Sequence, residues 1–150
     1  MRRFLVIFEK MPIDRASVKS GQNGTEVVTA CRCVNIGLFV SGDIRRDVIV
    51  SLGIGPLDDL RMISFPGPTL KRVSPDERSI SFFLLKASEI LESLEDGELF
   101  TMDNGIELTR SSLDAFTELW GEEVIQVPSS NPERFILDEN LAADRLEEAS

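Results

Sequence analysis

The chain has 150 residues, 42% of them hydrophobic and 28% charged, and it carries a net charge of -10 at pH 7. A chain of this size suits one globular domain and is too short for a second full domain. Its apolar runs, such as residues 82–85, fall far short of the roughly 20 residues that cross a bilayer, and no signal-peptide pattern opens the sequence. We therefore expect a soluble cytoplasmic protein with one domain, residues 1–150, and no membrane association.

Histidine is absent from the sequence and cysteine occurs twice. Without histidine the chain cannot build a Ser-His-Asp or Cys-His catalytic site or a His-Cys zinc site, and we expect no bound metal. Cys31 and Cys33 lie on a predicted helix, where residues two apart point to different sides and do not pair easily. Two free thiols suit a reducing compartment.

The first half of the chain is predicted to contain a strand, a helix and two further strands. Residues 3–8 form a short apolar run with β-branched and aromatic side chains, which is typical of a buried strand. Residues 25–39 repeat apolar side chains at the spacing of one helix face. These side chains are Val27, Cys31, Val34 and Leu38. Residues 47–52 and 62–65 are predicted strands, separated by a loop with glycine and proline.

A strong helix-start signal follows the second of these strands. Ser74 can cap the helix with its hydroxyl group, Pro75 suits the first helical position, and Glu77 follows three residues after the cap. Gly97 is placed to end this helix in a left-handed conformation. The predicted buried stripe comprises Ile80, Phe83, Leu84, Ala87, Ile90, Leu91 and Leu94.

The last third of the chain is predicted to contain three more strands and a helix. The strands cover residues 106–109, 123–127 and 134–138, and the helix covers residues 111–120. An acidic, helical tail is expected from residue 141. Strands that alternate with helices predict an α/β fold with a largely parallel sheet flanked by helices.

Charge is distributed unevenly between the two parts of the chain. Residues 1–86 contain 13 Lys and Arg against 9 Asp and Glu, whereas residues 87–150 contain 3 against 17. A polyanion should therefore meet the first part. The alternative is that the carboxylates merely belong to solvated helix faces.

Basic side chains occur in three predicted loops of that first part. They are Arg45, Arg46, Lys71, Arg72 and Arg78. Together with the positive end of a helix dipole, such loops can hold phosphate groups. The alternative is structural, since Arg45 and Arg46 could instead pair with Asp43, Asp47 or Asp76 to fix the loops.

Three sequence blocks resemble the archaeal tRNA pseudouridine N(1)-methyltransferases of the SPOUT superfamily. They read CRCV at residues 31–34, DIRRDV at residues 43–48 and KRVSPDERS at residues 71–79, in the family's order and nearly its spacing. Weaker agreement extends through residues 104–106 and 131–132 to residues 135–137. The resemblance therefore covers most of the chain.

This resemblance implies a SPOUT-type α/β-knot fold, S-adenosylmethionine as the methyl donor and pseudouridine in the T arm of tRNA as the acceptor. At the matched positions, Arg45, Arg46, Lys71, Arg72 and Arg78 would hold RNA phosphates. Asp43 and Asp76 would orient these arginines, and Leu137 would contact the cofactor. No catalytic residue is assigned. Family relatives also use the knot region as a dimer contact, so the apolar edge at residues 135–137 is expected to be open either to a second copy, in a homodimer, or to a completing partner chain.

The sequence departs from the family pattern in three places. Residues 24–28 read GTEVV where the family has a Gly-Arg-Leu-Asp stretch, and residues 138–140 read DEN where it has a small residue followed by Asp-His. The chain is also expected to stop before the segment that completes the knot. It could be a fragment, a relative that is inactive alone, or a chain completed by a partner. The alternative function is a non-catalytic RNA-interaction or protein-interaction domain derived from the family.

Overall fold

A seven-stranded sheet forms the centre of the computed structural model. The structure describes residues 2–120, 124–127 and 134–138, with side chains for residues 2–118. In chain order, its strands are β1 (Arg2–Phe8), β2 (Phe39–Val40), β3 (Asp43–Ile44), β4 (Val48–Ile54), β5 (Leu60–Pro66), β6 (Leu99–Thr101), β7 (Glu107–Ser111), β8 (Val124–Val127) and β9 (Arg134–Asp138). Neighbours in the sheet follow the order β6-β7-β5-β4-β1-β9-β8, and β2 pairs separately with β3.

Helices cover both faces of this sheet. They are α1 (Arg15–Ser20), α2 (Thr25–Leu38), α3 (Glu77–Leu91) and α4 (Leu113–Trp120). Side chains alternate between the two faces along a strand, so Val6 and Phe8 of β1 join the larger core with α2 and α3. Leu5 and Ile7 face the opposite way and pack with Phe116 of α4. The predicted α/β class with flanking helices is confirmed.

The expectation of a largely parallel sheet was wrong. Only β1 and β4 pair in parallel among the described strands of the central sheet, and the other neighbouring pairs are antiparallel. The reason lies in the connections, because a parallel pair needs a crossover of a dozen or more residues. The loop at residues 55–59 joins β4 to β5, and the loop at residues 102–106 joins β6 to β7. Both are too short for a crossover.

The capping residue of α3 also differs from the prediction. Asp76, not Ser74, has the extended cap conformation, and its carboxylate accepts a hydrogen bond of 2.8 Å from the Ser79 N–H. Aspartate caps helices about as well as serine, and the Asp76 carboxylate, not the Ser74 hydroxyl, lies next to the free N–H groups of the first turn. The helix ends at Leu91, so Gly97 does not terminate it. Gly97 instead lies in the turn that precedes β6, where its N–H donates to the carbonyl of Arg110 in β7.

The other long elements lie where the sequence places them, within a few residues. The helix face predicted for residues 25–39 is buried in α2. The short elements α1, β2, β3 and β6 were not predicted, since each is too brief to show a periodicity. The expected helix from residue 141 lies outside the described residues, and the expectation that the knot is incomplete remains a prediction.

Candidate nucleic-acid interface

Three loops meet at one end of the sheet. Ile49, at the start of β4, lies opposite Pro66, at the end of β5, while Ser64 of β5 lies opposite Glu107, at the start of β7. The register therefore gathers residues 45–47, 67–76 and 102–106, which we call the loop cluster. It contains four of the five predicted RNA-binding side chains, namely Arg45, Arg46, Lys71 and Arg72.

Arg46 ties two of these loops together. Its Nη1 donates to the Gly67 carbonyl at 2.9 Å and to the Leu70 carbonyl at 2.7 Å. The backbones approach so closely that a Cβ atom on Gly67 would overlap the Arg45 carbonyl oxygen. Because the acceptors are neutral carbonyls, the guanidinium group keeps its whole positive charge. The N–H groups of Arg46 that make neither of these bonds can donate to an anion such as a phosphate group.

Lys71 and Arg72 connect the third loop, residues 102–106, to the other two. The Lys71 backbone N–H donates to the Asn104 carbonyl at 2.9 Å, and Arg72 Nη2 donates to the Asp103 carbonyl at 3.1 Å. Arg72 has a φ of 60°, a left-handed conformation that is uncommon for a residue with a side chain. Gly105, with a φ of 97°, lets residues 102–106 pack on the Thr69 carbonyl. The loop cluster is therefore one hydrogen-bonded unit.

The alternative pairing of Arg45 and Arg46 with nearby aspartates is not seen in the part of the chain that the structure describes. There the ion pairs are Arg15 with Glu89 and Arg110 with Asp59, both at 2.8 Å. Neither involves Arg45 or Arg46. Asp43 is exposed in β3, and the Asp76 carboxylate caps α3.

Arg78 lies next to the loop cluster but outside it, in the first turn of α3. It lines a cavity of about 540 Å³ between α1 and α3, which we call the α1–α3 groove. The lining residues are Arg15, Val18, Lys19, Asp76, Arg78, Ser79, Phe82 and Leu85. The structure thus divides the predicted site into a loop cluster and a neighbouring groove.

The groove residues of α1 were missed at the sequence level because α1 itself was missed. A signal was available, since Asp14 caps the helix through its carboxylate and Gly21, with a φ of 75°, closes it. The Ser17 N–H and Oγ donate to the Asp14 carboxylate and lower its pKa. An Asp and a Gly seven residues apart can therefore delimit a helix that is too short for periodicity.

The predicted cofactor contact lies at the same end of the sheet as the loop cluster. Leu137 of β9 pairs with Phe4 of β1, whose start lies beside the start of β4. In the sheet order, one strand separates β9 from β4. The side chain of Leu137 and residues 139–150 lie outside the part of the chain described.

Neither a metal site nor a membrane-spanning helix occurs within the described residues. No group of three His, Cys, Asp or Glu side chains that could hold a metal ion occurs there. None of the described helices is long and apolar enough to cross a membrane.

Comparison with known proteins places this sequence in a family. Residues 1–128 match a family described as "Putative SAM-dependent RNA methyltransferase". A tRNA (pseudouridine(54)-N(1))-methyltransferase from Methanococcus maripaludis strain C5 is 53% identical over 60 residues, which cover 39% of this chain and 30% of that protein. The enzyme of the same name from Methanocaldococcus jannaschii is 45% identical over 67 residues, or 44% of this chain and 33% of the relative.

A longer alignment exists with the tRNA (pseudouridine(54)-N(1))-methyltransferase of Natronomonas pharaonis. It is 28% identical over 165 aligned positions, covering 99% of this chain and 81% of the relative. With the Methanococcus and Methanocaldococcus proteins the chain shares only about a third of their length. Since the family match covers most of the sequence, the chain belongs to this family of SAM-dependent RNA methyltransferases.

Proposed function

We propose that this chain acts as a tRNA pseudouridine N(1)-methyltransferase-like protein in the cytoplasm, and that its loop cluster binds the T arm of tRNA. One observation carries the proposal: cations from two separate loops meet in one hydrogen-bonded unit, and the hydrogen bonds of Arg46 and Arg72 go to neutral carbonyls. Such an arrangement holds positive charge in a fixed place. Fixed positive charge is what phosphate binding requires.

In this proposal the basic side chains bind phosphates, and acidic side chains orient the basic ones. Arg45, Arg46, Lys71, Arg72 and Arg78 are the phosphate ligands. Phosphate contacts fix the register of an RNA without reading its sequence. Asp43 and Asp76 are proposed to orient the arginines, and the Asp76 carboxylate, next to Arg78 in the groove lining, also holds the start of α3 in place.

S-adenosylmethionine is the proposed methyl donor, and Leu137 is its proposed contact. The placement of Leu137 suits this role, because β9 ends at the same end of the sheet as the loop cluster. Apolar residues commonly line adenosine pockets. The donor supplies an electrophilic methyl group, and the protein's part is to hold N(1) of the acceptor ring in line with it while the N(1) proton leaves.

The chain alone is proposed to bind the donor weakly and to need a second copy or a partner chain for activity. Asp138, the last residue of β9, and Glu139, the next residue in the sequence, stand where the family has a small residue before an Asp-His pair. Adjacent carboxylates change the shape and charge of an adenosine pocket. In calorimetry with S-adenosylmethionine we expect a dissociation constant weaker than micromolar. A micromolar constant would contradict this part of the proposal.

The second candidate function is a non-catalytic interaction domain, and the edge of the sheet favours it. β6 is an edge strand, and its Leu99 and Phe100 have exposed fractions of 61% and 42%. An edge strand has unpaired backbone N–H and C=O groups, and with exposed apolar side chains it can pair with a strand of another chain. Sedimentation of the wild type and the Leu99→Lys variant decides this point. A dimer that the variant disrupts supports the interaction role.

The T-arm assignment is tested with two RNA hairpins of equal length and charge, one with the T-arm sequence and one with the acceptor-stem sequence. We expect tighter binding to the T-arm hairpin, and binding to both should weaken as salt rises. Equal affinity for the two hairpins would reduce the proposal to general RNA binding. An absence of binding to both at low salt would overturn it.

A further inference from the structure

The α1–α3 groove is a recess of about 540 Å³ on the side of the molecule where α1 packs against α3. Its volume lies in the range of about 300–1,000 Å³ typical of pockets for small organic groups. α1 supplies Arg15 and Lys19, and α3 with its cap supplies most of the remainder. The groove is therefore large enough for one nucleobase with its sugar.

Positive charge dominates the groove. Arg15, Lys19 and Arg78 line it, and the lining contains a single acid, Asp76. The Asp76 carboxylate already accepts the Ser79 N–H, and Arg15 bonds to Glu89 in a pair whose side chains are 76% and 49% exposed. Exposed pairs of this kind contribute little and exchange readily. In a chain with a net charge of -10, this local excess of cations needs an explanation.

An exposed aromatic ring accompanies these cations. Phe82 lines the groove and has an exposed fraction of 44%. Arg78, Phe82 and Lys86 follow one another at four-residue spacing, so they form a single stripe along α3. Lys86 Nζ lies 5.0 Å from the centroid of the Phe82 ring. Cations that alternate with an exposed ring are typical of surfaces on which unpaired bases stack.

We propose that the α1–α3 groove binds an unpaired nucleotide of RNA, with its base stacked on Phe82 and its flanking phosphates on Lys19 and Arg78. The inference rests on the proposed function and extends its RNA surface beyond the loop cluster. The segment from Arg72 to Arg78 joins the two sites, and its six Cα–Cα steps span at most about 22 Å. A single strand can thus pass from the loop cluster into the groove.

A paired base does not suit this site. In a duplex each base is already stacked on its neighbours, whereas an unpaired base can turn out onto an aromatic side chain. The groove should therefore distinguish single-stranded from double-stranded RNA. The exposed Phe82 ring favours RNA over an acidic peptide, because an unpaired base can stack on it whereas a peptide gains little beyond general apolar contact.

The test compares two pairs of matched variants in fluorescence anisotropy, with a labelled single-stranded oligonucleotide and a duplex of the same length. Phe82→Leu is matched with Phe100→Leu, which removes a ring of similar exposure on β6. Lys19→Gln is matched with Lys10→Gln, an exposed lysine that does not line the groove. Urea unfolding of each variant verifies that the fold is intact, and Phe82→Tyr serves as a variant that keeps the ring.

For the single strand, Phe82→Leu should weaken binding about tenfold without changing the salt dependence. Phe82→Tyr, which keeps the ring, should bind the single strand about as well as the wild type. Lys19→Gln should reduce the slope of log K against log salt by about 0.7. Duplex binding should not respond to Phe82→Leu, and neither matched control should differ from the wild type.

Equal single-strand binding by Phe82→Leu and Phe100→Leu would overturn the groove assignment and leave T-arm binding in place. A Phe82→Leu variant that loses self-association and keeps RNA binding would overturn it in favour of a protein contact. A wild type that binds neither the T-arm hairpin nor the single strand would remove the proposed function as well.

Discussion

The Arg46 side chain both holds the loop cluster together and leaves charge available to a ligand. Its two hydrogen bonds go to carbonyls of residues 67 and 70 in another loop, at distances of 2.9 and 2.7 Å. Sequence alone predicted a charged residue in a loop and left open whether an aspartate neutralised it. The structure resolves this alternative because it supplies carbonyl partners that no spacing rule indicates.

Replacing Arg46 should therefore destabilise the protein. Arg46→Ala removes both bonds and leaves two loop carbonyls without their donor, so we expect a loss of about 1–2 kcal/mol in the free energy of unfolding. Arg61→Ala, an exposed arginine at the opposite end of the strands, should change stability by less than about 0.5 kcal/mol. Urea denaturation measures both. Equal effects of the two changes would contradict the bridging role of Arg46.

Cys31 should remain protonated and unreactive at neutral pH. Burial, together with the nearby Glu77 carboxylate, raises the pKa of this thiol from 9.0 to about 12. The unfolded chain therefore releases the thiol proton first, and stability should fall as pH rises from about 9 to about 12. The Cys31→Ala variant should lack this part of the decline. A thiol reagent that labels Cys31 in the native protein at pH 7 would contradict this assignment.

At the scale of elements, the start of α3 depends on Asp76 and not on Ser74. The sequence predicted a helix here and most of its buried stripe correctly, because the 3.6-residue period extends over the whole helix. The exact cap could not be predicted, since Ser74 carries the fuller capping pattern with Glu77 three residues later, whereas Asp76 offers only its own carboxylate. The short helix α1 was not predicted, because it buries only Val18 and therefore shows no apolar period.

Asp76→Ala should cost about 1 kcal/mol of stability, because the Ser79 N–H loses its acceptor. Ser74→Ala should change stability by less than about 0.5 kcal/mol, since the Ser74 backbone N–H, which donates to Ser79 Oγ, is retained. Asp76→Asn should keep most of the cap. Thermal unfolding of the three variants measures this order. A larger loss for Ser74→Ala than for Asp76→Ala would show that the helix begins at the earlier residue.

At the scale of the whole molecule, the sequence predicted strands and helices better than the way they pair. The α/β class followed from alternating periodicities, but the direction of the strands did not, because short connections between strands were not recognised as antiparallel links. Antiparallel pairing brings the end of β5 and the start of β7 to the same end of the sheet as the start of β4. Part of the predicted site therefore converges through antiparallel pairing, which the sequence pattern did not predict.

The central claim is that the loop cluster binds RNA through its positive charge. Arg45→Gln combined with Lys71→Gln tests it most directly. Within the described residues, Arg45 and Lys71 make hydrogen bonds to other segments through their backbone N–H groups and not through their side chains. The two substitutions therefore remove charge and keep these bonds. Lys10→Gln combined with Arg61→Gln removes the same charge at the opposite end of the sheet.

The decisive measurement is the affinity of both double variants for a tRNA T-arm hairpin over a range of salt concentrations. We expect the loop-cluster variant to bind about tenfold more weakly, with a slope of log K against log salt that is smaller by about 1.5–2. The control variant should match the wild type to within about twofold. Equal slopes for the two variants would contradict phosphate binding by the loop cluster.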